Sequence, residues 1–226
     1  MATIAFDAVS HAFGERRVLR DVTLTLAEHR IGIVGANGSG KSTLVRLING
    51  LITPQHGRVS VDGVDVSRHA REVRRRVGFV FTNPDNQIVM PTVEEDVAFT
   101  LRRRGLTKDE IATRTAETLD RFSLAAHATH PAHRLSGGQK QLLALAAVLV
   151  AEPDVLIADE PTTLLDARNA RQIGELLRTL PQQVIVVTHQ LDLLADFDRV
   201  IVIEDGQVAA DGTPADALDA YRALLA

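Results

Sequence analysis

The chain has no cysteine, so it can form neither a disulfide nor a zinc–thiolate centre, a composition that suits a reducing compartment. The first residues, MATIAFDAVSHAF, lack the basic-then-apolar order of a secretion signal and read as a first strand. An apolar run of membrane length is also missing. The longest helical apolar stretch, LLALAAVLVA at 142–151, is about half of the roughly 20 residues a span needs. The chain is therefore expected to be soluble by itself, with any membrane role falling to partner subunits. Positive charge is not in excess: a formal net charge of −4 gives no general pull towards nucleic acid or anionic lipid. There is no internal repeat and no low-complexity linker.

What is present is a chain of 226 residues, enough for one large α/β domain or for one domain with an inserted subdomain. The first part alternates with period two, Val22, Leu24 and Leu26 against Thr23 and Thr25, then Val59 and Val61 against Ser60 and Asp62. That pattern predicts half-exposed antiparallel strands. From residue 31 the strands become short and wholly apolar: IGIV (31–34), VLIA (155–158), VIVV (184–187) and VIVI (200–203). Strands apolar on both faces and separated by helical segments predict a parallel sheet covered on both sides. Between about 86 and 150 only helical periodicity is found, which predicts a helical insertion within a single domain spanning 1–226. Glu204-Asp205-Gly206 signals a hairpin, and a last helix is expected from about Pro214.

Three motifs carry chemistry. GANGSGKS at 35–42 fits G-x-x-x-x-G-K-[ST] between the strand IGIV and the helical TLVRLIN, the context that motif requires. Its glycines let backbone N–H groups turn towards phosphate oxygens at a helix N-terminus. Lys41 would reach the β- and γ-phosphates and Ser42 would hold Mg²⁺. VLIADE at 155–160 ends a buried strand with Asp159, placed for the metal, and Glu160, placed to orient or deprotonate a water. An acidic pair after a strand is otherwise an ordinary strand end. LSGGQ at 135–139 opens an apolar helix: either an N-cap and a flexible turn, or a second anion cradle facing the γ-phosphate held by another copy.

Together these motifs resemble the ATPase subunits of ABC transporters, over nearly the whole chain. Gly35, Ala36, Asn37, Gly38, Ser39, Gly40, Lys41, Ser42 and Thr43 resemble the Walker A motif. Leu135, Ser136, Gly137, Gly138 and Gln139 resemble the signature, and VLIADE resembles Walker B with its catalytic glutamate. His189 in VTH resembles the switch histidine and Asp166 the D-loop aspartate. The resemblance implies a P-loop NTPase fold with a RecA-like core, an antiparallel β subdomain and a helical subdomain. It also implies ATP and Mg²⁺ as cofactors, with two ATP molecules sandwiched in a homodimer, each between Walker A of one copy and the signature of the other. Phe13 in VSHAFG matches the aromatic that stacks on adenine; a core phenylalanine in a strand is the other reading. Two positions depart from the family. The D-loop reads Thr163-Leu164-Leu165-Asp166, with leucine where glycine is usual, and Thr82 stands where the Q-loop glutamine usually follows its strand, with Gln87 five residues on.

Asn-Pro-Asp-Asn-Gln followed by Pro-Thr-Val-Glu-Glu-Asp resembles the energy-coupling-factor branch, the vitamin and metal-ion importers. There the helix after the Q-loop receives arginine-bearing segments of a transmembrane coupling subunit, which works with a membrane subunit that binds the substrate. Glu94, Glu95 and Asp96 are the expected counter-charges, an acidic first helical turn being the alternative. Thr82 is expected near the magnesium and Gln87 at the groove or the subdomain joint. The threonine and the short C-terminus resemble the biotin-transporter subfamily; the cobalt and nickel ATPases are the runner-up. The expected location is the cytoplasmic face of the cell membrane, peripherally bound. A soluble ABC ATPase of repair or translation is the reading from another class, although the coiled-coil insertions and tandem domains of those proteins are missing. Arg74-Arg75-Arg76 and Arg102-Arg103-Arg104 read as solvated faces. His127, His130 and His133 have metal-like spacing but are interrupted by Pro131.

Overall fold

A computed structural model describes residues 1–102 and 104–225. Arg103 of the second arginine run lies outside the described residues. Two sheets organise the chain. Strands β1 (Ile4–Phe13), β2 (Arg16–Leu26), β4 (His56–Val61) and β5 (Val64–Asp65) form an antiparallel sheet in the order β2-β1-β4-β5. The period-two residues act as their spacing predicts: Val22, Leu24, Leu26, Val59 and Val61 are buried, while Thr23 and Thr25 are exposed.

The second sheet runs β10-β9-β3-β8-β7-β6, from β3 (Arg30–Val34), β6 (Val77–Val80), β7 (Val155–Asp159), β8 (Gln183–Val187), β9 (Arg199–Glu204) and β10 (Gln207–Gly212). Five of these strands are parallel, and β10 returns antiparallel on β9 through the hairpin at 204–206. Both faces are covered, and alternate residues serve different cores. Val155 and Ile157 pack with helix α1 (Lys41–Ile48) and the antiparallel sheet. Leu156 and Ala158 pack with α3 (Val93–Leu101), α5 (Gly137–Leu149) and α7 (Pro214–Leu224). Each fully buried Leu, Ile or Val contributes roughly 1.5–3 kcal/mol relative to exposure, so the wholly apolar strands pin the sheet between α1 with the antiparallel sheet on one face and the helical layer on the other.

Helix α2 (Val66–Arg76) precedes β6; α3, α4 (Lys108–Arg121) and α5 lie between β6 and β7; and α6 (Ala167–Thr179) lies between β7 and β8. None of these helices is long and apolar enough to cross a membrane among the described residues.

Strand register places the chemistry. Ile33 pairs with Val187, Val187 with Asp159, and Ala158 with Val80. The C-terminal ends of β3, β8, β7 and β6 are therefore flush. The loops leaving them carry Gly35, His189, Glu160 and Thr82, four motif residues far apart in sequence. This is the edge of a parallel sheet at which ligands commonly bind.

Candidate nucleotide site

The loop between β3 and α1 is a cradle that only glycine permits. Gly35, Gly38 and Gly40 have φ of +149°, +81° and +110°. A Cβ on Gly35 would lie 2.0 Å from the Ile203 carbonyl oxygen, and one on Gly40 would lie 2.6 Å from that of Val18. Lys41 Nζ donates to the Gly35 and Ala36 carbonyls, both at 2.8 Å, from a largely buried position. Burial lowers its pKa, and nearby Glu160, Asp159 and Glu204 oppose that shift. Ser39 Oγ is buried without a partner, a polar atom that a ligand in the cradle would satisfy.

A cleft of about 350 Å³ opens over this loop, lined by Phe13, Arg16, Asn37, Lys41, Thr43 and Glu160 among others. Phe13 is 54% exposed, so it is not a core residue; its ring stands at the cleft, edge-on to His11 with centroids 4.8 Å apart.

Ser42 Oγ donates to Asp159 Oδ1 at 2.8 Å, and Arg46 donates to Asp159 Oδ2 at 3.1 Å. Burial pushes the Asp159 carboxyl up, against the pull of the Ser42 and Arg46 hydrogen bonds. Ser42 and Asp159 thus put two hard oxygens side by side. Such a pair fits a divalent cation that takes its other ligands from phosphate and water. Among the described residues no cluster of three His, Cys, Asp or Glu side chains offers a closed metal cage. Arg46 was not singled out from the sequence, although its position four residues after Ser42 puts both on one helical face.

Glu160 sits at φ +54°, with its N–H donating to Val187 O at 2.9 Å. Its Oε2 lies 2.8 Å from His189 Nδ1 and accepts from Thr163 Oγ1 at 2.9 Å. With Nδ1–H given to the carboxylate, His189 keeps Nε2 for a second partner. Leucine at 164 carries no strain, because its backbone is not among the left-handed residues; the side chain is 61% exposed.

Ser136 and Gln139 form a capping box at the start of α5. Asp166 caps α6 by accepting from Asn169 N at 2.9 Å, and the Asn169 amide packs against Gly138, where a Cβ would meet it at 2.6 Å. The signature therefore meets, within one chain, the α6 side chain that is tied to the D-loop aspartate. Neither is among the residues lining the cleft over Lys41.

Thr82 and Gln87 are both turned to internal partners. Thr82 Oγ1 donates to the Asp159 carbonyl at 2.8 Å, which ties it to the strand end beside the cation pair. The chain then turns through Pro84–Asn86, and Gln87 folds back: its Oε1 accepts from Phe81 N–H at 3.1 Å and its Nε2 donates to Ala144 O at 3.1 Å. Gln87 thus links the end of β6 to α5.

The three acids of α3 do not act alike. Asp96 corrects the expectation of a groove counter-charge: it is 3% exposed, and its Oδ1 accepts from the Val89 and Met90 N–H groups at 2.8 and 3.0 Å. The polar loop before α3 needs an acceptor for those two amides, and Asp96 supplies it. Glu95 closes a capping box on Thr92. Glu94 is exposed. Glu94 and Glu95 line a groove of about 420 Å³ between α3 and α4, floored by Ile111, Leu119 and alanines. His127 and His130 meet, with Nδ1 atoms 2.9 Å apart, and no third histidine, cysteine, aspartate or glutamate completes a metal cluster among the described residues.

The family model described as ABC transporter matches residues 19–163. The chain belongs to the ABC transporter family. It is one of that family's ATP-binding, ATP-hydrolysing subunits, with the α/β P-loop NTPase fold. A relative in Bartonella quintana, named as an ABC transporter ATP-binding protein without a cargo, is 53% identical and aligns over 98% of each chain. The biotin transport ATP-binding protein BioM of Rhizobium etli is 46% identical over 99% of each chain. Among solved structures, cbiO1 of Clostridium perfringens, part of the ABC transporter complex cbiONQ, matches with a TM-score of 0.85 and 32% identity, covering 96% of this chain and 90% of that one.

Proposed function

We propose that this ATPase energises a membrane importer of the energy-coupling-factor type, with biotin as its cargo, from the cytoplasmic face of the membrane. The observation that carries the transport reading is the α3–α4 groove. It is apolar at its floor and has Glu94 and Glu95 on its lining, and its helix α3 packs on α5, which Gln87 ties to the end of β6. A transmembrane coupling subunit would place a basic helix there, and a second membrane subunit would bind the cargo. The ABC ATPases of the BioM and cbiO1 kind support the branch. The 46% match to BioM favours biotin over cobalt or nickel.

In this reading Phe13 stacks on adenine, the 35–43 loop and Lys41 hold the phosphates, and Ser42 and Asp159 hold Mg²⁺, which would neutralise phosphate charge. Glu160 accepts the proton of the attacking water, with Thr163 and His189 fixing its carboxylate and His189 Nε2 facing the γ-phosphate. The helical segment at about 86–150 is a subdomain of the single domain, and its signature, Leu135 to Gln139, meets ATP on the other copy of a homodimer together with Asp166. Thr82 acts beside the cation, and Gln87 acts in coupling.

Co-expression with a transmembrane coupling subunit and a substrate-binding membrane subunit is the test. The complex should co-purify and take up labelled biotin into vesicles with ATP inside the ATPase compartment, and Glu160→Gln should cut uptake and ATP turnover by roughly 10²–10⁴. Uptake of cobalt or nickel instead would move the cargo. An active ATPase that neither co-purifies with a membrane subunit nor supports uptake would return the protein to the soluble class.

A further inference from the structure

The signature turn is held by a chain of hydrogen bonds that ends outside every motif. Ser136 N–H donates to Gln139 Oε1 at 2.9 Å, and Gln139 N–H donates back to Ser136 Oγ at 3.3 Å. The other end of the Gln139 amide, Nε2, lies 2.9 Å from His127 Nε2, and His127 Nδ1 lies 2.9 Å from His130 Nδ1. Donor and acceptor counting admits one arrangement. Because Oε1 must accept from Ser136, the Gln139 –NH₂ faces His127, whose Nε2 must then be the bare nitrogen. His127 therefore carries its proton on Nδ1 and donates it to His130.

His127 is itself a fixed post. Its N–H donates to Leu124 O at 2.8 Å, and the loop around it gives the Ala128 and His130 carbonyls to the Glu94 and Val93 N–H groups at 2.9 and 3.2 Å. The loop is thus fastened to the start of α3, and His127 reaches from it to α5. We propose that His127 is a positioning residue for the signature half of the ATP site, acting through Gln139; this rests on the trans-signature reading above. By accepting from the Gln139 amide it holds the orientation in which Oε1 caps Ser136, leaving the Ser136 hydroxyl as a donor. Without it the amide –NH₂ loses its partner, and the reversed amide, which cannot cap Ser136 N–H, becomes accessible.

The test compares His127→Ala with His127→Gln, whose side-chain oxygen restores an acceptor, in the full-length protein. Fluorescent ATP binding, steady-state turnover and thermal unfolding are measured for each. The ATP-held dimer is followed by gel filtration in a Glu160→Gln background. His127→Ala should lower kcat by roughly 3–10-fold, the scale of one lost neutral hydrogen bond. It should also weaken the dimer while leaving nucleotide affinity unchanged; His127→Gln should recover most of both. Wild-type kcat in His127→Ala, or a His127→Gln as impaired as His127→Ala, overturns the assignment. Ser136→Arg separates the two levels. If it turns over ATP normally, the trans-signature reading falls and this one with it. If it is inactive while His127→Ala is normal, only the role of His127 falls.

Discussion

The protein has two glycine-rich helix starts, and they are built in opposite ways. The loop before α1 bends inward through three glycines at positive φ, buries Lys41 and Ser39, and is walled by the Val18 and Ile203 carbonyls. The turn before α5 has no glycine at positive φ; Ser136 and Gly137 are exposed, and the capping box engages the Ser136 and Gln139 amides. A helix N-terminus favours an anion at either start. The first lies under a cleft of its own chain, whereas the second leaves Ser136 and Gly137 open to solvent and lines no part of that cleft. One fold therefore carries a complete half-site and an incomplete one, which gives a physical reason to expect two copies to act together.

The sharpest way to break this comparison is to damage each start separately. Lys41→Ala removes a charged donor from the enclosed cradle and should weaken nucleotide binding by roughly 10–100-fold, with hydrolysis falling further. Ser136→Arg should leave nucleotide binding by the isolated subunit near wild type and still abolish turnover. A mixed dimer of the two variants has both lesions in one site and none in the other, so it should recover part of the turnover that each homodimer lacks. Measured by fluorescent ATP titration and steady-state turnover, loss of nucleotide affinity in Ser136→Arg would mean that the second start belongs to the same cleft as the first.

A smaller effect separates the two glycines of the exposed start. A Cβ on Gly138 would meet the Asn169 side chain at 2.6 Å, and that side chain is tied to Asp166 at 2.8 Å. A Cβ on Gly137 would find nothing nearer than Leu164 O at 3.9 Å. Gly138→Ala should cost about 1–3 kcal/mol in thermal unfolding, an overpacking penalty, and should displace the Asp166 cap. Gly137→Ala should be neutral or slightly stabilising, because alanine is the better helix former. Equal melting temperatures would show that the contact between Gly138 and Asn169 yields without cost.

How much of this was legible in the sequence follows from how local each signal is. The cradle was readable because one contiguous motif specifies its strand, glycines, lysine and helix. Each wholly apolar strand likewise announced its two-sided burial, as Val155–Ala158 shows by dividing its residues between two cores. Phe13 could not be settled, since a strand residue faces either way until its sheet is placed. Gln87 was harder still: its partners, Phe81 N–H and Ala144 O, depend on a turn and on a helix 57 residues away. Asp96 misled because an acidic first helical turn looks the same whether its carboxylates face solvent or cap a preceding loop. Arg46 belongs to no motif and Thr163 was legible only as the start of the D-loop; both matter at the site because Asp159 and Glu160 lie beside them.

The smallest expected effect concerns Asp96, and it sharpens the contrast between the buried and the exposed parts of the helical segment. Burial raises the Asp96 pKa, and its two backbone hydrogen bonds only partly offset that. The sign follows directly. A carboxyl whose folded-state pKa lies above its unfolded value contributes stability that is fully present below the unfolded pKa, near 4, and is lost as pH rises through the folded value. Ionising the buried carboxyl as pH rises therefore costs stability relative to its neutral form. Both amide donors reach the same atom, Oδ1, so an amide oxygen at that place can accept both bonds. Asp96→Asn should accordingly match wild type in thermal unfolding at pH 4 and equal or exceed it at pH 8. Binding of the membrane subunit should be unchanged. Glu94→Lys should do the reverse, leaving unfolding stability within about 0.5 kcal/mol of wild type. It should weaken partner binding in a salt-dependent way by roughly 0–1 kcal/mol, the worth of one exposed pair. If Asp96→Asn instead weakens the partner while its melting curve is untouched at both pH values, the carboxylate reaches the groove, and the division between a structural and a docking acid is wrong.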